Sequence, residues 1–378
     1  MESGFKTLDD VNVKGKRVLV RVDLNSEIIR GKVLLNDRIR EHAKTIRELV
    51  GKKAKVIVLA HQGQPGKREF ISLREHCKLL NKFVKIKFVK DVCGENAVNR
   101  IDELKNGEAI LLENIRFEKD EFDSSDKSKI VQVLGGLGDI YVNDAFSLVH
   151  RNQASITGLP KVIKHCIGRV MEREISNIGR IKMKNALFIL GGAKCEDNLL
   201  LLKKRRILST GIFSLLCLIA SGHDLGMENR RLKGEKKVID KIKKNLKHIK
   251  MPVDLAIKKK GRRKDMVLEG FPQNSRVLDI GIKTIEMYEK EIMKAKRIFW
   301  KGTAGYAENK NFALGTKRLL KAIEKSKAFC VVAGGHSSTA IEQFGIKEKK
   351  IGYVSLSGGA LIHYLAGKKL QGLEVLKK

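Results

Sequence analysis

Proline and aromatic side chains are scarce in this chain: four prolines and one tryptophan occur among 378 residues, and Phe, Trp and Tyr together make up 5%. Ser/Pro-rich tracts are equally few. With 42% hydrophobic residues and 34 glycines, the composition is that of a folded globular protein rather than a disordered one. Long apolar runs are missing too. The longest, residues 207–220, is broken by Ser209, Thr210, Gly211 and Ser214 and is too short to span a bilayer. The opening segment, MESGFKTLDDVNVKGKR, has no apolar stretch of the signal-peptide kind, so a cytoplasmic protein is expected. CxxC spacing is absent: Cys77, Cys93, Cys166, Cys195, Cys217 and Cys330 are scattered, mostly in apolar surroundings, which fits buried thiols better than disulfides or zinc sites.

Acidic residues are the remaining shortage. Against 77 Lys and Arg stand 43 Asp and Glu, a formal net charge of +34. Such an excess attracts polyanions through counterion release, in a manner that salt weakens. Yet lysine is spread along the whole chain, and no helix-turn-helix, zinc-finger or RNP-like motif occurs. A lysine-rich solvated surface is the favoured reading, with nonspecific nucleic-acid contact left open.

The length suits two domains better than one. Residues 186–196, ALFILGGAKCE, read as a strand, a tight glycine turn and a helix start. Glycines let backbone N–H groups approach a ligand, a helix N-terminus favours an anion, and Lys194 can place a charge on a phosphate oxygen. A plain Gly-Gly turn followed by a solvated lysine fits the motif alone equally well. Upstream, residues 18–22, 55–60, 86–89, 109–112 and 140–142 repeat a buried-strand pattern with helical segments between, one of them opened by Arg38 and Arg40 and running through Ile46 and Leu49. Polar groups crowd the strand ends: Arg21, Asp23 and Asn25; His61; Glu113 and Arg116; Asp144, His150 and Arg151. If the sheet is parallel these ends share one edge, and Arg21, Arg38, Arg116, Arg151 and His61 would form a basic pocket for a small, multiply anionic ligand. Asx turns, a structural histidine and chance in so basic a chain are the plainer readings.

Past Lys194, strands are expected at 253–257, 277–279, 297–300, 329–333 and 351–354. Residues 233–250 read as an exposed amphipathic helix with Val238, Ile239, Ile242, Leu246 and Ile249 inward, and KKKGRRK at 258–264 reads as an exposed loop.

With RVDLN, DRIR, AHQGQPG, LLENIRF, YVNDAF plus HR, and ILGGAK in this order, then SGHDLG, MPVDLAI, VLDIG, WKGTAGYAE, FALGT, AGGHSS and SGGALIHYLAGK, the chain resembles the phosphoglycerate kinase family over essentially its whole length, closest to the archaeal branch. The resemblance implies an α/β protein of two doubly wound, Rossmann-like parallel-sheet domains facing across a cleft. Residues 1–170 would take 3-phosphoglycerate or 1,3-bisphosphoglycerate, residues 171–360 Mg-ATP or Mg-ADP, and residues 361–378 would pack back near the first domain. The boundary is expected near residues 165–178, with a helical hinge. Asp23, Asn25, Arg38, His61, Gln64, Arg116 and Arg151 fall on acid-substrate positions, and Arg21 on a structural or inter-domain ion pair. Gly191, Gly192 and Lys194 match the phosphate loop, Glu308 the ribose carboxylate, and Gly334, Gly335, His336 and Ser337 the turn beside the nucleotide phosphates. Arg38 and Lys194 are the expected catalytic pair, brought together by closure, and a monomer without membrane attachment is the default.

Departures cluster in the second half. Gln64 stands where an arginine is usual, Asn198 where bacterial and eukaryotic members often carry lysine, and Ser209-Thr210-Gly211 at a turn usually richer in glycine. Lys301 and Thr303 replace the asparagine and proline of an NGP motif, His336 an aspartate that helps hold Mg²⁺, and Leu356 and Ser357 a threonine and a glycine. Magnesium would then rely on nucleotide oxygens and water, with no metal site of the protein's own. An active kinase, reversibly transferring phosphoryl between 1,3-bisphosphoglycerate/ADP and 3-phosphoglycerate/ATP, is the first expectation; a catalytically weak or inactive protein of the same fold that binds polyanions or nucleic acid is the second.

Overall fold

The computed structural model describes residues 4–180, 185–192, 195–203 and 206–378, with the side chains of Arg180 and His336 outside the description. Lys194 therefore lies outside the described residues. The chain forms two compact units, Met1–Arg180 with Lys369–Lys378, and Ile181–Lys368.

In the first unit, near-continuous β-branched runs make parallel strands buried on both faces, as such runs must be. Six strands lie in the order Lys87–Phe88, Ala109–Leu111, Lys55–Leu59, Arg17–Arg21, Ile140–Asn143, Lys164–Ile167, every neighbouring pair parallel. Helix Asp37–Gly51 covers one face with Ile39, Ala43, Ile46 and Leu49 at helical spacing, and its start is capped by Asn36, whose side-chain oxygen accepts from Ile39 N at 3.1 Å. Emptying one such position, Ile46→Ala, would cost about 2–5 kcal/mol. Residues 369–378 complete this unit: Lys378 N donates to Gly4 O at 2.9 Å and Gly372 N to Val149 O at 2.8 Å, while Leu370, Leu373 and Leu376 are buried.

The second unit has a six-stranded parallel sheet in the order Ile249–Lys250, Ile207–Ser209, Leu187–Leu190, Arg297–Lys301, Phe329–Ala333, Gly352–Ser355. Counted along the chain this is 3-2-1-4-5-6, the doubly wound order whose ligand crevice lies where it reverses, between Leu187–Leu190 and Arg297–Lys301. Ile189, Ile298, Trp300 and Val332 of the sheet share one buried core with Ile285, Tyr288, Leu319 and Ile323 of the covering helices.

Three expectations need correction. Residues 258–264 are not a loop: Asp254–Lys259 and Arg262–Val267 pair antiparallel, joined by Lys260 and Gly261 at φ 47° and 78°, in a three-stranded sheet with Val277–Ile280. Arg263 makes this possible by turning its charge inward to Asp279 at 2.7 Å and Asp265 at 2.8 Å. The strand expected at 277–279 is present as Val277–Ile280. Residues 233–250 are not one helix: the α-helical part is Lys236–Lys243, broken at Asn245, after which Ile249 enters the sheet edge. After the glycine turn, Glu196–Leu201 is a 3₁₀ helix rather than an α-helix, tied back to the turn by the Asn198 amide, which donates to Gly191 O at 3.3 Å.

The reversal point of the second sheet is set by backbone contact. Gly191 N donates to Lys301 O at 2.7 Å and Gly192 N to Thr303 O at 3.2 Å. A Cβ on Gly302, at φ 80°, would lie 2.4 Å from Gly191 C and Gly192 N, and backbone on both sides cannot yield. Gly302→Ala is expected to destabilise by about 3 kcal/mol or more, from left-handed strain plus overpacking. Gly261→Ala, also at positive φ but with nothing within 4 Å of its Cβ, should cost about 1 kcal/mol. Urea unfolding of both variants checks this; equal losses would contradict the crossing.

Candidate functional site

In the first unit the strand order reverses beside Arg17–Arg21, and Asp23, Asn25, His61, Arg116 and Arg151 follow the carboxyl ends of neighbouring parallel strands, with Arg38 carried by helix Asp37–Gly51. Arg21, the last residue of its strand, is fully buried. Its Nε donates to Ser155 Oγ at 2.9 Å and one terminal nitrogen to Val22 O at 2.5 Å. The other donates to His61 Nδ1 at 3.3 Å and lies 3.9 Å from the buried Glu121, whose carboxylate takes Ser155 N at 3.0 Å and Ser155 Oγ at 2.7 Å. The partners of Arg21 thus lie within its own unit. Because a guanidinium only donates, His61 Nδ1 accepts, and the ring is neutral with its proton on Nε2. Burial first, and the Arg21 charge second, hold its pKa well below the usual histidine value.

Asp23 is 2% exposed. Burial disfavours its charge, but Arg38, at 3.0 Å, outweighs this, helped by the Ser147 hydroxyl, and keeps the carboxyl well below the ordinary range. Arg38 also reaches Asn25 O at 3.3 Å. Asn25 ties two strand-end loops together: its N–H goes to Asp23 at 3.0 Å and its Oδ1 accepts from Gly63 N at 2.9 Å. Gln62 does more of this work. Its Oε1 accepts from Ser26 N at 2.8 Å and its Nε2 donates to Ser26 O at 3.0 Å, while Asn114 Nδ2 donates to Gln62 O at 2.8 Å and Ile71 O at 2.9 Å.

Arg116 donates to Gly63 O at 2.6 Å, and its Nε, buried, has no partner. Burial, then the nearby Arg151 and Arg21, pull its pKa down to about 9. Burial likewise lowers that of half-buried Arg151. Among the described residues neither has a carboxylate within 4 Å. Four guanidiniums, of Arg21, Arg38, Arg116 and Arg151, are thus set against two carboxylates, Asp23 and Glu121, and the imbalance suits an anion of more than one charge. Gln64 stands apart, exposed at the start of a turn closed by Lys67 N to Gln64 O at 3.0 Å.

In the second unit Gly191 and Gly192 lie at the reversal point. Ser337 Oγ, buried, accepts from Gly302 N at 2.9 Å, bringing in the first turn of helix Gly335–Gln343, which Gly334 enters at φ 96°. Helix Gly358–Leu365 begins close by, a Cβ on Gly358 falling 3.4 Å from Gly334 Cα. Two helix N-termini and a glycine turn at one sheet edge are chemistry for phosphate. Glu308 is exposed on the segment after Lys301. Among the described residues no three His, Cys, Asp or Glu side chains are grouped to hold a metal, and no helix is long and apolar enough to cross a membrane.

Sequence reading missed Gln62, Ser147, Ser155 and Glu121. Gln62 and Ser147 adjoin flagged positions, so adjacency was a usable signal; Glu121 and Ser155 act from segments with no strand-end signature.

The phosphoglycerate kinase family model matches residues 8–368. The phosphoglycerate kinase of Methanothermus fervidus is 40% identical, covering 99% of this chain and 97% of its own, and that of Sulfurisphaera tokodaii is 39% identical over 98% and 95%. The crystal structure of phosphoglycerate kinase from Pyrococcus horikoshii superposes with a TM-score of 0.90 at 34% identity, over 98% of both chains.

Beneath the site, buried His76 donates from Nε2 to Gln62 Oε1 at 3.0 Å, and burial lowers its pKa from 6.5 to about 4. Folded His76 thus stays neutral where the unfolded chain takes up a proton. Its contribution to stability is whole above pH 6.5 and falls away towards pH 4, by about 2 kcal/mol at about pH 5. Urea midpoints at about pH 7.5 and about pH 5 should converge less for wild type than for His76→Gln; an identical pH slope in the variant would refute this.

Proposed function

The chain belongs to the phosphoglycerate kinase family, and on that premise we propose that the arginine-rich edge of the first unit binds 3-phosphoglycerate while the glycine-rich edge of the second binds ATP or ADP. The activity is the family's, reversible phosphoryl transfer to a carboxyl acceptor, and the comparisons favour it over the polyanion-binding alternative. The observation that carries the assignment of sides is the charge imbalance around Arg116 and Arg151: a phosphate and a carboxylate on one small molecule would relieve it.

Such transfer asks little covalent work of the protein, so its task is alignment and neutralisation of the moving phosphoryl group. Arg116 and Arg151 would hold the acid's anionic groups, with neutral His61 and Asn25 for its other polar atoms. Arg38, half-buried and anchored by Asp23, would face the transferring phosphoryl, joined by Lys194 from the glycine loop. Glu308 would take the ribose hydroxyls, and Gly334, Gly335, His336 and Ser337 would meet the phosphates through backbone N–H groups. Mg²⁺ fits as a companion of the nucleotide, carried by phosphate oxygens and water, and supplies charge neutralisation when bound. The enzyme would work as a cytoplasmic monomer.

A coupled assay of ATP-dependent 3-phosphoglycerate phosphorylation tests this. Arg38→Ala should lower kcat by about 10²-fold or more. Arg116→Ala should raise KM for 3-phosphoglycerate by about 10- to 100-fold, with KM for ATP unchanged. An Arg116→Ala defect confined to ATP would reverse the assignment of sides. Gln64→Arg, adding a cation beside the cluster, should lower KM for 3-phosphoglycerate; a rise would place position 64 outside the site.

A further inference from the structure

Two departures in the second unit, at positions 198 and 301, are 103 residues apart in sequence and in contact in the fold. Lys301 ends its strand abreast of Leu190, the residue before the glycine turn. Its Nζ donates to Asn198 Oδ1 at 3.0 Å and lies 3.3 Å from Asp197 Oδ2. The side chain is only 12% exposed, so the ammonium is held at the sheet's reversal point rather than in bulk water. Its backbone carbonyl anchors Gly191 N, and the next residue, Gly302, is tied to Ser337 in the helix whose N-terminus faces the same edge.

We propose that Lys301 is a phosphate-binding residue of the nucleotide site, presenting its ammonium to the polyphosphate chain from the strand opposite the glycine turn. Asn198 and Lys301 are in contact, so an ammonium delivered from either position reaches the same place beside the glycine turn. Delivery from a strand end fixes the stem of the lysine more firmly than delivery from the 3₁₀ segment Glu196–Leu201. Asp197, 38% exposed, is a resting partner that a phosphate oxygen can displace, since it has water to turn to.

The proposal rests on the nucleotide reading of this unit, and the experiment separates the two. Steady-state kinetics of the full chain would compare wild type, Lys301→Asn, Asn198→Lys/Lys301→Asn and Lys194→Ala. Lys301→Asn should raise KM for ATP or lower kcat by about 10- to 100-fold, without moving KM for 3-phosphoglycerate or the melting temperature. The double variant should recover most of the loss. Wild-type kinetics for Lys301→Asn, a double variant no better than the single, or a loss shared by both substrates together with a lower melting temperature would each overturn it. If Lys301→Asn is silent while Lys194→Ala abolishes turnover, the nucleotide reading stands and Lys301 is excluded. If both are silent, the nucleotide reading itself fails.

Discussion

A parallel sheet buried on both faces leaves its carboxyl edge as the place where a side chain can be held by the sheet and still be reached by a ligand. Both units obey this constraint. Their strands Arg17–Arg21, Lys55–Leu59 and Leu187–Leu190 are apolar and buried along nearly all their length, and the residues that can do chemistry begin where the strands stop. The two edges meet the demand by opposite means. One is furnished with guanidiniums on buried stems, the other with glycines that expose backbone N–H groups, and each is shaped by what it must leave out: carboxylates beside Arg116 and Arg151, and Cβ atoms at residues 191, 192 and 302.

Burying like charges is expensive, and the first unit tolerates it through neutral intermediaries. Arg21 is enclosed by Ser155, the Val22 carbonyl and an uncharged His61, with Glu121 set back at 3.9 Å. Gln62, Asn25 and Asn114 then bind the loops to one another through amides that never ionise. The loops that carry the cations are therefore tied together by groups indifferent to pH, with Asp23 alone anchoring Arg38 through a charge, while the mutual repulsion of the cations is left unrelieved.

How far the sequence could be read follows from which interactions are local. Strands were legible because burial on both faces demands unbroken apolar runs, and Asp23, Asn25, His61 and Arg116 because each directly follows such a run. The hairpin at 254–267 was not, since its alternating charges look solvated until Arg263 is seen to reach Asp279, sixteen residues on. The helix after the glycine turn was legible as a helix but not as a 3₁₀ one, since the bond that ties Asn198 back to Gly191 spans seven residues. The pairing of Asn198 with Lys301, and of Arg21 with Ser155 and Glu121, joins segments a hundred or more residues apart, and periodicity carries no trace of either.

The return of residues 369–378 to the first unit bears on how the molecule comes into being. Gly372 presses against Val149 and Ile156, the backing of the segment that carries Arg151 and Ser155. On the ribosome this backing is made after the whole of the second unit. A nascent chain thus lacks this backing beside Arg151 until translation has passed residue 372.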